Sequence, residues 1–172
     1  MSRPLRILAL VPTPSEAAVR HAASSSKCAA TLVSTPAALF GHLGESQWDL
    51  TIVSTACDHV DPRLLERVAG EQSTGALVLT APGPSLQAAL LAERLGALGV
   101  LSEPLSPEGL ARHIERTSDE GPDLPLPSAP LEDGGKHELI GSSEPMIAVF
   151  SVVAKVADSA STVLLTGESG TG

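Results

Sequence analysis

Between residues 5 and 117, short aliphatic runs alternate with longer alanine- and leucine-rich stretches, the pattern of repeated βα units built around a parallel sheet. The runs at 6–11, 30–34, 50–54, 76–80 and 99–102 are the predicted strands. Two of them, Ile7-Leu8-Ala9-Leu10-Val11 and Ala76-Leu77-Val78-Leu79, are apolar throughout instead of alternating, as strands covered on both faces should be. Helices are predicted at 14–25, 36–43, 62–69, 84–95 and 107–117. Each starts at or beside a proline, whose fixed φ and missing N–H suit the first helical turn. In the third helix the spacing groups Leu64, Leu65, Val68 and Ala69 on one face and Arg63, Glu66 and Arg67 on the other. The fourth spreads Leu86, Ala88, Ala89, Leu90, Leu91, Ala92 and Leu95 around most of its circumference. The expected fold is a doubly wound α/β domain with a five-stranded parallel sheet in flavodoxin-like order.

The alternation stops at 118–137, where Gly121, Pro122, Pro125, Pro127, Pro130, Gly134 and Gly135 mark a linker that cannot be one continuous helix. A further helix is predicted at 144–157 and a strand at 162–166. That helix is apolar on most sides, and a helix and strand within 35 residues cannot bury such a surface, so the segment docks on something or stays loosely ordered. The chain then closes on Gly167-Glu168-Ser169-Gly170-Thr171-Gly172, which has the GxxxxG spacing of a phosphate loop without the lysine and hydroxyl residue that complete it. Those two side chains reach the outer phosphates and hold magnesium, so tight nucleotide binding and catalysis are not expected of this chain.

Composition narrows the function classes. A chain of 172 residues with 42% apolar residues has room for one domain and a fragment. A net charge of -9 with only 11 Lys and Arg argues against a nucleic-acid footprint. No apolar run approaches the roughly 18 residues that span a bilayer, and no cleavable leader is visible, so a cytoplasmic location away from the membrane is expected. Cys28 and Cys57 lack metal or redox spacing and read as reduced core residues. His21, His42, His59, His113 and His137 show no paired spacing, so no metal site is expected. Ser54, His59 and Asp61 are the residue types of a hydrolase triad, but no G-x-S-x-G elbow surrounds the serine. Asp58, His59 and Asp61 read instead as a solvated loop capping the helix that starts at Pro62.

Two segments resemble known families. Leu139-Ile140-Gly141-Ser142-Ser143, the helix after it, and Val163-Leu164-Leu165-Thr166 leading into Gly167-Glu168-Ser169-Gly170-Thr171-Gly172 resemble the opening of the AAA+ domain of sigma-54-dependent transcriptional activators. Less strongly, residues 1–117 resemble the receiver domain of response regulators, which precedes that AAA+ domain in the nitrogen-regulatory class. Trp48-Asp49-Leu50-Thr51-Ile52-Val53-Ser54, Leu77-Val78-Leu79-Thr80-Ala81, Leu95-Gly96-Ala97 and Leu101-Ser102-Glu103-Pro104-Leu105 carry that likeness. The resemblance implies a receiver-like domain at 1–117, a linker at 118–137 and, at 138–172, the start of an AAA+ domain ending inside its phosphate loop.

The same resemblance exposes departures. A receiver holds magnesium with an acidic pair after its first strand, and the matching residues here are Val11 and Pro12. The phosphoacceptor aspartate is matched by Ser54, and the lysine that pairs with the phosphoryl group by Glu103. Thr80 is retained. These matches imply a phosphorylation-independent pseudo-receiver working through protein contacts, with Asp58 as the alternative acceptor. In that family ATP and Mg2+ serve the AAA+ ring that remodels sigma-54 RNA polymerase. They are therefore implied for a longer parent and not as cofactors of this chain, and polymerase and DNA would be reached only through downstream domains. The implied partner of this part is a second copy, through the 84–117 face. Two alternatives stay open: an ATP-binding fragment of an AAA+ ATPase, and a stand-alone interaction module using the pocket at Val11, Pro12, Ser54 and Thr80.

Overall fold

The aliphatic runs form five parallel strands, β1 (Arg6–Leu10), β2 (Ala29–Val33), β3 (Leu50–Ser54), β4 (Ala76–Pro82) and β5 (Gly99–Glu103). Their spatial order is β2-β1-β3-β4-β5. Five helices connect or follow them: α1 (Thr13–Ser25), α2 (Pro36–Glu45), α3 (Pro62–Gly70), α4 (Leu86–Arg94) and α5 (Pro107–Asp119), and α6 (Glu144–Ala157) comes later in the chain. The computed structural model describes residues 4–83, 86–119, 144–157, 159, 160, 162–164 and 166. The expected linker from 120 onward, the Ile140-Gly141-Ser142-Ser143 box and the loop Gly167–Gly172 lie outside these residues.

Alternate residues of one strand feed two cores. Ile7 and Ala9 of β1 face a cluster that includes Val19 of α1 and Leu110 and Ile114 of α5. Leu8 and Leu10 face the other, with Leu39 and Leu43 of α2, Leu65 and Val68 of α3, and Ala92 of α4. Because side chains alternate across a strand, an unbroken apolar run is the pattern that buries both faces, and this is why β1, β3 and β4 read as they do.

Local signals set the helix starts. Thr35 caps α2 by accepting from the Ala38 amide at 3.2 Å, and Asp61 caps α3 by accepting from the Leu64 amide at 2.7 Å. The α3 entry shows why Asp61 is not part of a triad: its carboxylate is committed to the helix end. At the β3–β4 crossing, Gly75 takes φ +63° and lies against the carbonyls of Trp48 and Asp49, closer than any Cβ could approach.

The apolar circumference of α4 is explained by α6. Ala92 points into the main core, while Ala89, Leu86 and Leu90 meet Phe150, Ala154 and Met146 of α6 in a separate cluster. The helix expected to dock or stay loose is therefore docked, against α4 and β5. Phe150 is fully buried there.

Two expectations are corrected. The described residues 162–164 and 166 form no strand, and Val163 and Leu164 are 55% and 84% exposed. A strand exists only through pairing with a neighbour, and none of the five strands pairs with this segment. The two cysteines are half-buried at the margins of the two cores instead of inside them.

Candidate functional site

Parallel α/β sheets bind ligands at the C-terminal ends of their strands, because helix N-termini and crossover loops converge there. In this chain the edge collects the residues singled out from the sequence. Val11 and Pro12 follow β1, with Val11 buried and Pro12 at the N-cap of α1. Ser54 ends β3, Thr80 lies opposite it in β4, and Glu103 ends β5 opposite Pro82.

Thr80 is fully buried, and its hydroxyl donates to Glu103 Oε1, joining two neighbouring strands through their side chains. Its carbonyl accepts from the Thr55 amide at 2.8 Å and from the Thr55 hydroxyl at 3.2 Å. Ser54, also fully buried, accepts from the Ala56 amide at 3.0 Å and so shapes the turn that leaves β3. The Ser54 hydroxyl thus accepts from the backbone and hydrogen-bonds the Cys57 thiol, while His59 sits exposed in the following loop at φ +63°. The serine, histidine and aspartate of the candidate triad do not meet as one.

Cys57, which reads from the sequence as a reduced core residue, is half-buried in the loop after β3. Burial pushes its thiol above the ordinary value of 9.0, and the charges of Glu103 and Asp58 push in the same direction, against a hydrogen bond from Ser54. A cysteine so placed is a poor nucleophile near neutral pH. No sequence spacing flags it, since its neighbours come from β3, β5 and the loop after β3.

The donor set does not fit a resident magnesium ion. Val11 and Pro12 offer no side-chain oxygen, and Ser54 offers a neutral hydroxyl. The carboxylate of Glu103 already accepts from Thr80. Among the described residues, no group of three His, Cys, Asp or Glu side chains is placed to hold a metal.

Solved structures with this architecture are informative at the level of the fold. A response regulator from Thermotoga maritima superimposes with a TM-score of 0.62 at 13% identity, covering 69% of this chain and 100% of that one. The chemotaxis response regulator CheY4 of Vibrio cholerae superimposes at 0.59 with 14% identity, covering 67% of this chain and 99% of that one. The fold is that of a response-regulator receiver domain. The receiver-like domain expected from the sequence is present in its architecture and strand order.

Sequence comparison adds a narrower likeness. The transcriptional regulatory protein ZraR of Salmonella typhimurium is 37% identical over 100 residues, 56% of this chain and 21% of that protein. The chain thus spans about a fifth of the curated relatives it matches. No family model matches the chain. Among the described residues, no helix is long and apolar enough to cross a membrane.

Proposed function

We propose that this chain is the signal-input part of a sigma-54-dependent transcriptional regulator, and that its receiver-like domain signals through protein contacts without phosphotransfer. The observation that carries this reading is the hydrogen bond from Thr80 to Glu103 in a pocket flanked by Val11, Pro12 and Ser54. A phosphoryl group on a receiver is held by a magnesium ion, a cation and a hydroxyl. Here the hydroxyl already donates to a carboxylate, the residue in the cation's position is anionic, and the metal ligands are replaced by apolar groups. Glu103 takes the part of an internal anion that holds Thr80 inward without a chemical signal.

The Leu139–Ser143 box and the GESGTG loop support the AAA+ side of the proposal by resemblance, as does the partial likeness to a transcriptional regulatory protein. In this reading ATP, Mg2+, polymerase and DNA are engaged by a longer parent. The seat of α6 on α4 and β5 fits contact-based signalling, because it joins the receiver-like domain to the segment that leads into the AAA+ resemblance. A second copy binding the 84–117 face competes with α6 for the α4 surface.

Intact mass after incubation with magnesium and acetyl phosphate tests the reading, together with amide chemical shifts during beryllofluoride titration. No phosphoryl adduct and no shifts around Ser54 and Thr80 are expected. A stoichiometric adduct overturns the proposal, and its mapping to Asp58 would identify a displaced acceptor.

A further inference from the structure

The seat of α6 is a cluster of its own, and no α6 residue belongs to either core of the receiver-like domain. Met146, Phe150 and Ala154 recur at i, i+4 and i+8, along one side of the helix, and meet Leu86, Ala89 and Leu90 of α4. Phe150 is fully buried, with Ala89 and Ala154 nearly so. One apolar helix face is recognised by another, with anchors at helical spacing.

The seat is one-sided. A cavity of about 510 Å³ stays open between α4, β5, α5 and α6, with Ile147, Ser151 and Lys155 of α6 in its lining. There α6 forgoes the close packing of a protein interior. Its outward side leaves Val149 and Val152 47% and 59% exposed. The helix is therefore held mainly through Phe150 and the residues around it. Twenty-four residues, 120–143, join the end of α5 to the start of α6. A chain of that length spans at most roughly 80 Å, enough to pass from one receiver-like domain to another.

We infer that the α4 seat is a docking site for α6 of a second copy of this chain, so that two copies exchange the helix reciprocally. The chemistry of this partner is on view, because the occupant of the seat is α6 itself: Met146, Phe150 and Ala154 against Leu86, Ala89 and Leu90. Exchange keeps these contacts and changes only the chain that supplies them, which makes it a low-cost route to a dimer. A tether of this length gives an effective concentration on the order of 1 mM. The unaltered chain is therefore monomeric at micromolar concentrations and exchanges α6 as its concentration nears that value. In this arrangement the second copy contributes a helix instead of displacing one, whatever chemistry the Ser54 pocket performs.

Two full chains with complementary defects test the exchange. Phe150→Ala keeps the seat and weakens α6. Ala89→Glu keeps α6 and puts a carboxylate into an apolar seat that cannot solvate it, at a position outside both cores. Because α6 docks within one chain at the tether's effective concentration, the two variants should associate one-to-one with a Kd below about 1 mM. Amide shifts of Leu86, Ala89 and Leu90 in an isotope-labelled Phe150→Ala chain should return towards those of the unaltered protein, and sedimentation should give the stoichiometry. Adding Phe150→Ala to the donor should weaken association about a hundredfold. A peptide of residues 144–157, titrated into the labelled Phe150→Ala chain, gives the same readout without depending on the fold of Ala89→Glu. Absence of association up to about 1 mM for both donors overturns the exchange. So do shifts away from α4 and β5, or a donor whose affinity is unchanged by loss of Phe150.

Discussion

Replacing Thr80 by valine isolates the hydrogen bond on which the pseudo-receiver reading turns. Valine keeps the branched shape of threonine, so no cavity opens at a fully buried position and the hydroxyl is the only group lost. A hydrogen bond to a charged partner contributes roughly 1.5–3 kcal/mol. Glu103 is only half-buried and regains part of this from water, which leaves a net loss of about 1–2 kcal/mol. For a domain of this size that is a fall in Tm of roughly 4–8 °C. Thermal and urea unfolding followed by circular dichroism measure it. Glu103→Gln retains an oxygen that accepts from the same hydroxyl, so its loss should be about half as large. A double variant lacking both groups should lose less than the sum of the two singles, since the partners share one interaction. If Thr80→Val is as stable as the parent chain or more so, the hydrogen bond does not hold the pocket and the reasoning fails.

Three further outcomes follow from the packing and electrostatics. Gly75→Ala should cost about 3 kcal/mol or more, because its Cβ would sit 2.3 Å from Trp48 O at φ +63°, whereas Gly83→Ala, at φ +62° with open space around it, should cost about 1 kcal/mol; similar urea midpoints for the two would contradict this. Phe150→Ala should remove about 3–5 kcal/mol of packing from the α6 seat, so that amide exchange of α6 becomes fast while the strands stay protected; a protected α6 would show that other contacts hold it. Burial raises the thiols of Cys28 and Cys57 above 9.0, so between the unfolded and folded values the folded chain binds more protons than the unfolded one. Stability should then fall as pH climbs through and above that value, and the Cys28→Ser, Cys57→Ser double variant should flatten the dependence of the urea midpoint on pH.

Much of the architecture was legible from local chemistry. Uniformly aliphatic runs identify strands covered on both faces, and prolines at helix starts locate the elements that cover them, so the order of strands and helices needed no distant contacts. The same alignment of runs placed Ser54, Thr80 and Glu103 at one edge, since residues ending successive parallel strands come together whatever their identity. The described residues of the predicted strand at 162–166 form none for the complementary reason: β propensity describes a residue's fit to a pleated surface, and a strand also needs a neighbour's backbone.

By itself the sequence determined the βα alternation, the parallel sheet and which residue types, Val11, Pro12, Ser54, Thr80 and Glu103, lie near the strand ends, because these depend on residue type and spacing alone. Tertiary structure decided the bond between Thr80 and Glu103, the raised thiol of Cys57, the seat of α6 on α4 and the cavity beneath it. Each of these depends on distances between residues far apart in the chain, and on whether the side chains meeting there are large enough to close the space between them. An apolar helix announces that it will be covered; only the folded surface of α4 and β5 shows by what, and how incompletely.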